Sequence, residues 1–202
     1  MDKKYVFLVE DNNELRSDLE RTLRFCGYIT HSFADPEEFL REFKPVVPAV
    51  LVTDMRMPQL SGVDLQADLL AKGHKVPIIF ISGESSDEQI IKVMKNGAFD
   101  FLLKPFSRES LLSAVEKAIE QDAIVMMELI RKTRLAEALK KLSPRERQVF
   151  DLLAKGYGNK ELVDELGISL PTVKEYKSEV MYKLRLRSLS ELISLNNSLV
   201  ML

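Results

Sequence analysis

The sequence is poor in residues that staple or chelate. It holds one cysteine, Cys26, which excludes an intramolecular disulfide and a cysteine metal cluster. Its two histidines, His31 and His74, are too few for a histidine-based metal site. Long apolar runs are missing near the start: MDKKYVFLVEDNNEL contains five consecutive apolar residues, too short for a secretory leader or a membrane span. These absences predict a soluble, cytoplasmic protein with no membrane partner. Internal repeats and low-complexity tracts are also lacking. Neither sign of charge dominates, the net being -2 over 202 residues. Residues 1–107 carry 13 Lys and Arg against 17 Asp and Glu, and residues 108–202 carry 16 against 14. That mild asymmetry permits a nucleic-acid face in the second half without establishing one.

What is present is ample apolar material, 46% of the chain, enough for one large domain or two small ones. Up to about residue 106, short apolar runs alternate with helical patterns. Candidate strands are Tyr5–Val9, Ile29–Phe33, Val50–Thr53, Ile78–Ser82 and Phe101–Leu103. Several are nearly continuous apolar runs, as expected of parallel strands covered on both faces. Helical stretches fall near 12–26, 36–43, 63–72 and 86–96, several followed by Gly27, Gly73 or Gly97. Five β-α units predict a doubly wound five-stranded parallel sheet of the α/β class.

From Ser107 to about Leu139 the pattern is helical, with no Gly or Pro. Leu112, Val115, Ile119, Met126, Leu129, Ile130 and Leu139 can share an apolar stripe. Two readings stay open for this long helix: packing on its own domain, or a dimerising coiled coil. Ser143-Pro144, with Glu146 three residues after the serine, then has the form of a capping box opening a second unit. Helices follow near 144–155, 159–166, 170–184 and 189–197.

Ligands of a doubly wound sheet bind beyond the carboxyl ends of its strands. Here those ends carry Glu10-Asp11, Asp54, Ser82-Gly83 and Lys104-Pro105. Carboxylate oxygens are hard ligands suited to Mg²⁺. Glu10 and Asp11 would bind the ion, with one oxygen from Asp54. Asp54 can then act as a nucleophile toward a phosphoryl group. Ser82 and Lys104 would hold the phosphoryl oxygens by hydrogen bond and by charge. Each piece alone is unspecific; their joint placement at four strand ends is the signal.

Residues 1–120 resemble a receiver domain, through VEDN (9–12), VTDMRMPQLSG (52–62), FISG (80–83) and DFLLKPF (100–106). The resemblance implies a flavodoxin-like sheet, Asp54 as phosphoacceptor, and Mg²⁺ or Mn²⁺ held by Glu10, Asp11, Asp54 and the backbone carbonyl of Arg56. It also implies Ser82 and Lys104 as switch hydroxyl and phosphate-binding lysine, Phe101 as switch aromatic, and a cis Lys104-Pro105 peptide. Glu10 replaces the more usual Asp of the acidic pair. Arg56 and Glu84 flank the pocket, either pairing across its mouth or standing as solvated loop charges.

The stretch 142–202 resembles a LuxR-type (FixJ/NarL) helix-turn-helix output domain, through LSPRERQV (142–149), NKELVDELGIS (159–169), TVKEY (172–176) and KL (183–184). Its expected core is Val149, Leu152, Leu153, Leu162, Leu166, Ile168, Val173, Val180 and Leu184. The resemblance implies that Lys174, Glu175 and Ser178 face base edges. It places Lys160, Thr172 and Lys177 toward phosphates, with Lys183, Arg185 and Arg187 as additions. Glu175 either accepts from a cytosine amino group or only weakens binding. Tyr176 stands where the family usually has His. Residues 121–141 would be a linker helix continuing the receiver's fifth helix.

The expectation is a two-component response regulator of the FixJ/NarL family. A sensor histidine kinase phosphorylates Asp54, and the protein dimerises or releases its output domain to bind paired half-sites on double-stranded DNA, with RNA polymerase as a further partner. Leu192, Leu195 and Leu199 either join that dimer or pack internally. The only chemistry expected is self-phosphotransfer and autodephosphorylation at Asp54. Two rivals are an aspartate-nucleophile phosphatase or hydrolase, and a receiver used without phosphorylation. The first usually needs an acid two positions after the nucleophile, where this chain has Arg56; the complete five-residue set weighs against the second.

Overall fold

The computed structural model describes residues 3–83 and 87–200, in two compact units, Met1–Met127 and Glu128–Leu202. In the first, the strands β1 (Tyr5–Val9), β2 (Ile29–Phe33), β3 (Ala49–Asp54), β4 (Ile78–Ser82) and β5 (Asp100–Leu103) form one parallel sheet in the order β2-β1-β3-β4-β5. The apolar runs become the central strands: all residues of β3 and β4 are buried. Successive side chains alternate between faces. Phe7, Val9 and Leu51 pack with Phe39 of α2 (Pro36–Glu42), Leu65 and Leu69 of α3 (Gly62–Ala71) and Val93 of α4 (Asp87–Lys95). Val6, Leu8, Val50, Val52, Ile79 and Ile81 pack with Leu19 and Leu23 of α1 (Asn13–Phe25) and Leu111, Val115 and Ile119 of α5 (Arg108–Lys140). Each fully buried aliphatic or phenylalanine side chain contributes about 1.5–3 kcal/mol.

Caps set the helix starts that border the sheet edge. Asn12 accepts from the amides of Glu14 and Leu15, both at 3.0 Å, and Ser61 and Asp64 make a reciprocal capping box at α3. Within the single chain, helix α5 does not bury its apolar stripe along its whole length. It buries Leu111, Val115 and Ile119 in the first core and Leu135 and Leu139 in the second, while Leu129 and Ile130 are exposed. Within the single chain, each end of this 33-residue helix packs in its own core. Asp122, past the middle of the helix's first half, accepts from the Ala49 amide at the start of β3 at 2.8 Å. Burial holds its carboxyl above the ordinary carboxylate value, against the lowering effect of that bond.

The second unit contains α6 (Pro144–Ala154), α7 (Asn159–Leu166), α8 (Leu170–Lys183) and α9 (Leu189–Val200). Val149, Leu153, Leu162, Val173, Val180 and Leu184 are buried as expected, whereas Leu152, Leu166 and Ile168 are half-buried at the margin. Phe150, Leu192 and Leu195 join the core; the side chain of Leu199 lies outside the described residues. Gly167, at φ 63, turns the chain between α7 and α8, and Ser169 caps α8 by accepting from the Thr172 amide. This is the helix-turn-helix arrangement. Arg185, just past α8, sits at φ 53, a left-handed conformation that costs a residue with a Cβ roughly 1–2 kcal/mol.

Candidate functional site

Strand order reverses between β1 and β3, and the crevice beyond the carboxyl ends gathers charge from β1, β3 and β5 and a hydroxyl from β4. Glu10 follows β1 and is 1% exposed; Asp54 ends β3 and is 7% exposed; Asp11 is exposed beside them. One carboxylate oxygen from each lies within 4.8 Å of the others. Lys104, following β5, places Nζ 2.5 Å from Asp54 Oδ2 and 2.9 Å from Glu10 Oε2. The Arg56 amide donates to Asp54 Oδ1 at 2.8 Å, so both Asp54 oxygens are oriented. The Asn12 amide donates to Glu10 Oε1 at 3.2 Å.

Burial pushes the Glu10 carboxyl up from its ordinary value; the Lys104 hydrogen bond opposes this and the Asp54 charge adds to it. Burial alone would lower the Lys104 ammonium, but its hydrogen bonds to Asp54 and Glu10 outweigh that and raise it. Three carboxylates face one ammonium. Hard oxygen donors with a residual negative charge fit a small divalent cation such as Mg²⁺ or Mn²⁺.

Ser82, 1% exposed, ends β4 one residue after Ile81, which is in register with Asp54. Its carbonyl accepts from the Lys104 amide at 2.8 Å, tying β4 to the lysine's backbone. Phe101, opposite Phe80 on β5, is half-buried against the same core. The Lys104-Pro105 peptide is cis, as the resemblance implies, and so is Val47-Pro48. Arg56 Nη2 lies 3.4 Å from Gln89 Oε1 on α4; a pairing with Glu84 falls outside the described residues.

The sequence reading missed Gly62. A Cβ there would stand 2.2 Å from the Asp54 carbonyl oxygen, so glycine is what lets α3 start directly beneath Asp54. The signal was in the quoted stretch 52–62, but only the fold shows what the glycine touches.

In the second unit, Lys174, Glu175 and Ser178 are exposed along α8, and Lys160 is exposed near the start of α7. Thr172 is half-buried with its hydroxyl 2.8 Å from that of Ser169. Lys177 is half-buried with Nζ 3.4 Å from Asn159 Oδ1, bridging α8 to α7. Tyr176 packs against the core. Lys183, expected from the resemblance as an additional phosphate contact, donates to both oxygens of Glu146 at 2.7 and 2.8 Å. Glu146 is buried and also accepts from the Ser143 amide at 2.7 Å. The lysine bond, then that amide, hold its carboxyl below the ordinary range. Lys183 therefore ties the end of α8 to the start of α6.

Known proteins repeat both arrangements. Residues 6–116 match the family described as the response regulator receiver domain, and residues 140–196 match the bacterial regulatory proteins of the luxR family. Nodulation protein W of Bradyrhizobium diazoefficiens is 40% identical over 98% of this chain and 87% of its own. The response regulator StyR superposes with a TM-score of 0.83 at 36% identity, over 98% of this chain and 100% of that one. Full-length FixJ from B. japonicum does so with a TM-score of 0.62 at 33% identity, over the whole of both chains. No helix among the described residues is long and apolar enough to cross a membrane. A phosphate-switch domain followed by a DNA-binding one, matched along nearly the full length of such relatives, places the chain among the response regulators with a LuxR-type output domain.

Proposed function

We propose that Asp54 is the phosphoacceptor through which a sensor histidine kinase controls DNA binding by the second unit. The observation that carries this is the meeting of Glu10, Asp11 and Asp54 with Lys104 Nζ at 2.5 Å from the acceptor. The phosphoryl group passes from a kinase histidine nitrogen to an Asp54 carboxylate oxygen: the N–P bond breaks and an O–P bond forms. Glu10, Asp11, Asp54 and the Arg56 carbonyl would hold the divalent cation. When bound, it shields Asp54 from the charge of the incoming group. Lys104 neutralises the phosphoryl oxygens, and Ser82 is drawn toward them from the end of β4. Phe101 follows, which alters the face made by α4, β5 and the first turns of α5.

That face pairs two copies or frees the output domain. The signalling part comprises residues 1–120, the linker 121–141 and the output part 142–202. Lys174, Glu175 and Ser178 read base edges, while Lys160, Thr172 and Lys177 serve phosphates and register. Two output domains then meet half-sites ~34 Å apart, or a multiple of that, and RNA polymerase is the downstream partner. The protein works in the cytoplasm and performs no chemistry beyond phosphotransfer and dephosphorylation at Asp54. The test treats wild type and Asp54→Ala with acetyl phosphate and Mg²⁺, then measures oligomeric size and DNA affinity. Both should change in wild type only; an equal response in Asp54→Ala rejects the switch.

A further inference from the structure

Five of the exposed positions of α8 form one stripe, flanked by the exposed Leu170, Glu179 and Lys183. At 100° per residue, Pro171, Lys174, Glu175, Ser178 and Tyr182 fall within a single arc of about 100°, opposite the buried Val173, Val180 and Leu184. Tyr182 closes this stripe one turn beyond Ser178 and is 81% exposed. A tyrosine so exposed gains almost nothing from the core of its own unit. It has one polar handle, a hydroxyl able to donate.

The residues after it break a local rule. The helix ends at Gly27, Gly73, Gly97, Gly156 and Gly167 all use glycine at positive φ. Helix α8 ends the same way, with the Leu186 amide donating to the Met181 carbonyl at 2.9 Å and the Arg185 amide to the Tyr182 carbonyl at 3.0 Å. Yet the left-handed position holds Arg185, at φ 53. Glycine would relieve the backbone and would bring no charge. Proteins keep such local conflicts where a side chain is needed for function. Arg185 is exposed, and it lines an open hollow of about 510 Å³ with Tyr182 and Arg187.

We propose that Tyr182 and Arg185 contact the sugar–phosphate backbone of duplex DNA, just beyond the stretch of α8 that reads bases. This rests on the assignment of the second unit as a DNA binder. A recognition helix presents its first turns to base edges, so its far end moves out toward a groove wall lined by phosphates. The tyrosine hydroxyl donates to a phosphate oxygen, and the guanidinium pairs with one. Lys183, lying between them in sequence, is held by Glu146 and plays no part in the contact. The contact is blind to sequence and sensitive to salt.

The experiment uses the full chain treated with acetyl phosphate and Mg²⁺, a duplex of random sequence, and a salt titration. Arg185→Gly should fold at least as well as wild type and unfold a few degrees higher, because glycine suits the turn. It should bind roughly tenfold more weakly, with the salt slope reduced by about one. Tyr182→Phe should bind a few-fold more weakly with unchanged stability. Arg185→Gly that is more stable yet binds DNA with wild-type affinity and slope overturns the proposal. Tyr182→Ala that lowers transcription at unchanged DNA affinity assigns the tyrosine to a protein partner and likewise overturns it. Wild type that binds no duplex even at low salt removes the DNA-binding assignment itself, a result distinct from either.

Discussion

The two units treat charge in opposite ways. In the first, Lys104 reaches anions that lie 50 and 94 residues away in sequence, and the acids it meets, Glu10 and Asp54, are buried. In the second, Lys160 and Lys174 are exposed on helix faces and Lys177 is half-buried, while the pair of Lys183 with Glu146 holds helices together. A buried cluster makes each charge strongly dependent on its neighbours, so one added phosphoryl group can shift packing. An exposed face spreads weak, salt-screened attractions over many side chains. Sensing requires the first arrangement and reversible DNA binding the second.

The largest effect that tests this contrast is at Gly62. Gly62→Ala forces a methyl group to 2.2 Å from the Asp54 carbonyl, and the helix start or Asp54 must move. Phosphoryl incorporation from acetyl phosphate should be lost, with about 1–3 kcal/mol lost from denaturant unfolding. Wild-type labelling would show that the pocket tolerates displacement and that burial is not what tunes it. Next, Glu146→Ala should lower stability by about 1–2 kcal/mol, through the lost capping box and lysine bond, discounted for the partial exposure of Lys183. A loss below a few tenths would place this pair with ordinary surface pairs.

DNA titrations separate the second unit's cations from one another. Lys160→Ala, at an exposed phosphate contact, should reduce the salt slope by about one and leave stability within ~0.5 kcal/mol. Lys183→Ala should reverse that pattern, costing stability and sparing the slope. If both lysines shift the slope equally, the division between structural and DNA-facing cations fails.

The smallest effects come from pH, with opposite signs in the two units. Glu146 has a folded value below its ordinary 4.5, so the unfolded chain binds more protons in between. Its contribution is fully present above 4.5 and is lost as pH falls through the lower folded value. Asp122 has a folded value above its ordinary 3.8, so the folded chain binds more protons in between. Its ionised form costs stability above that window, and the cost is relieved as pH falls through it. Glu146→Gln should flatten the acid loss, and Asp122→Asn should remove an acid gain; unfolding curves of both variants from about pH 3 to 7 check the signs.

Much of this was legible from the chain alone. Four of the five strands could be read from apolar runs; for β1, β3 and β4 the reason is cover on both faces, which leaves no polar side, whereas the edge strand β5 is half-buried. Glu10, Asp54, Ser82 and Lys104 were legible because each directly follows or ends such a run. What stayed hidden was pairing across distance. Nothing local marks Lys183 as the partner of Glu146, 37 residues away, or Asp122 as the acceptor for Ala49, 73 residues away. The stripe on α5 stayed open between two readings for a related reason: periodicity shows that a face is apolar, not what covers it, and Leu129 and Ile130 are exposed in the single chain. Phe150 was not among the expected core residues, yet packing leaves it fully buried.

The bond between Asp122 and Ala49 gives β3 a mechanical meaning. The strand carries Asp54 at one end and fastens the long helix at the other, and all six of its residues are walled in. Close packing leaves such a strand no slack to absorb a push. It acts as a strut, so a sliding of the strand along its own axis would reach the middle of α5 at Asp122 as well as the pocket.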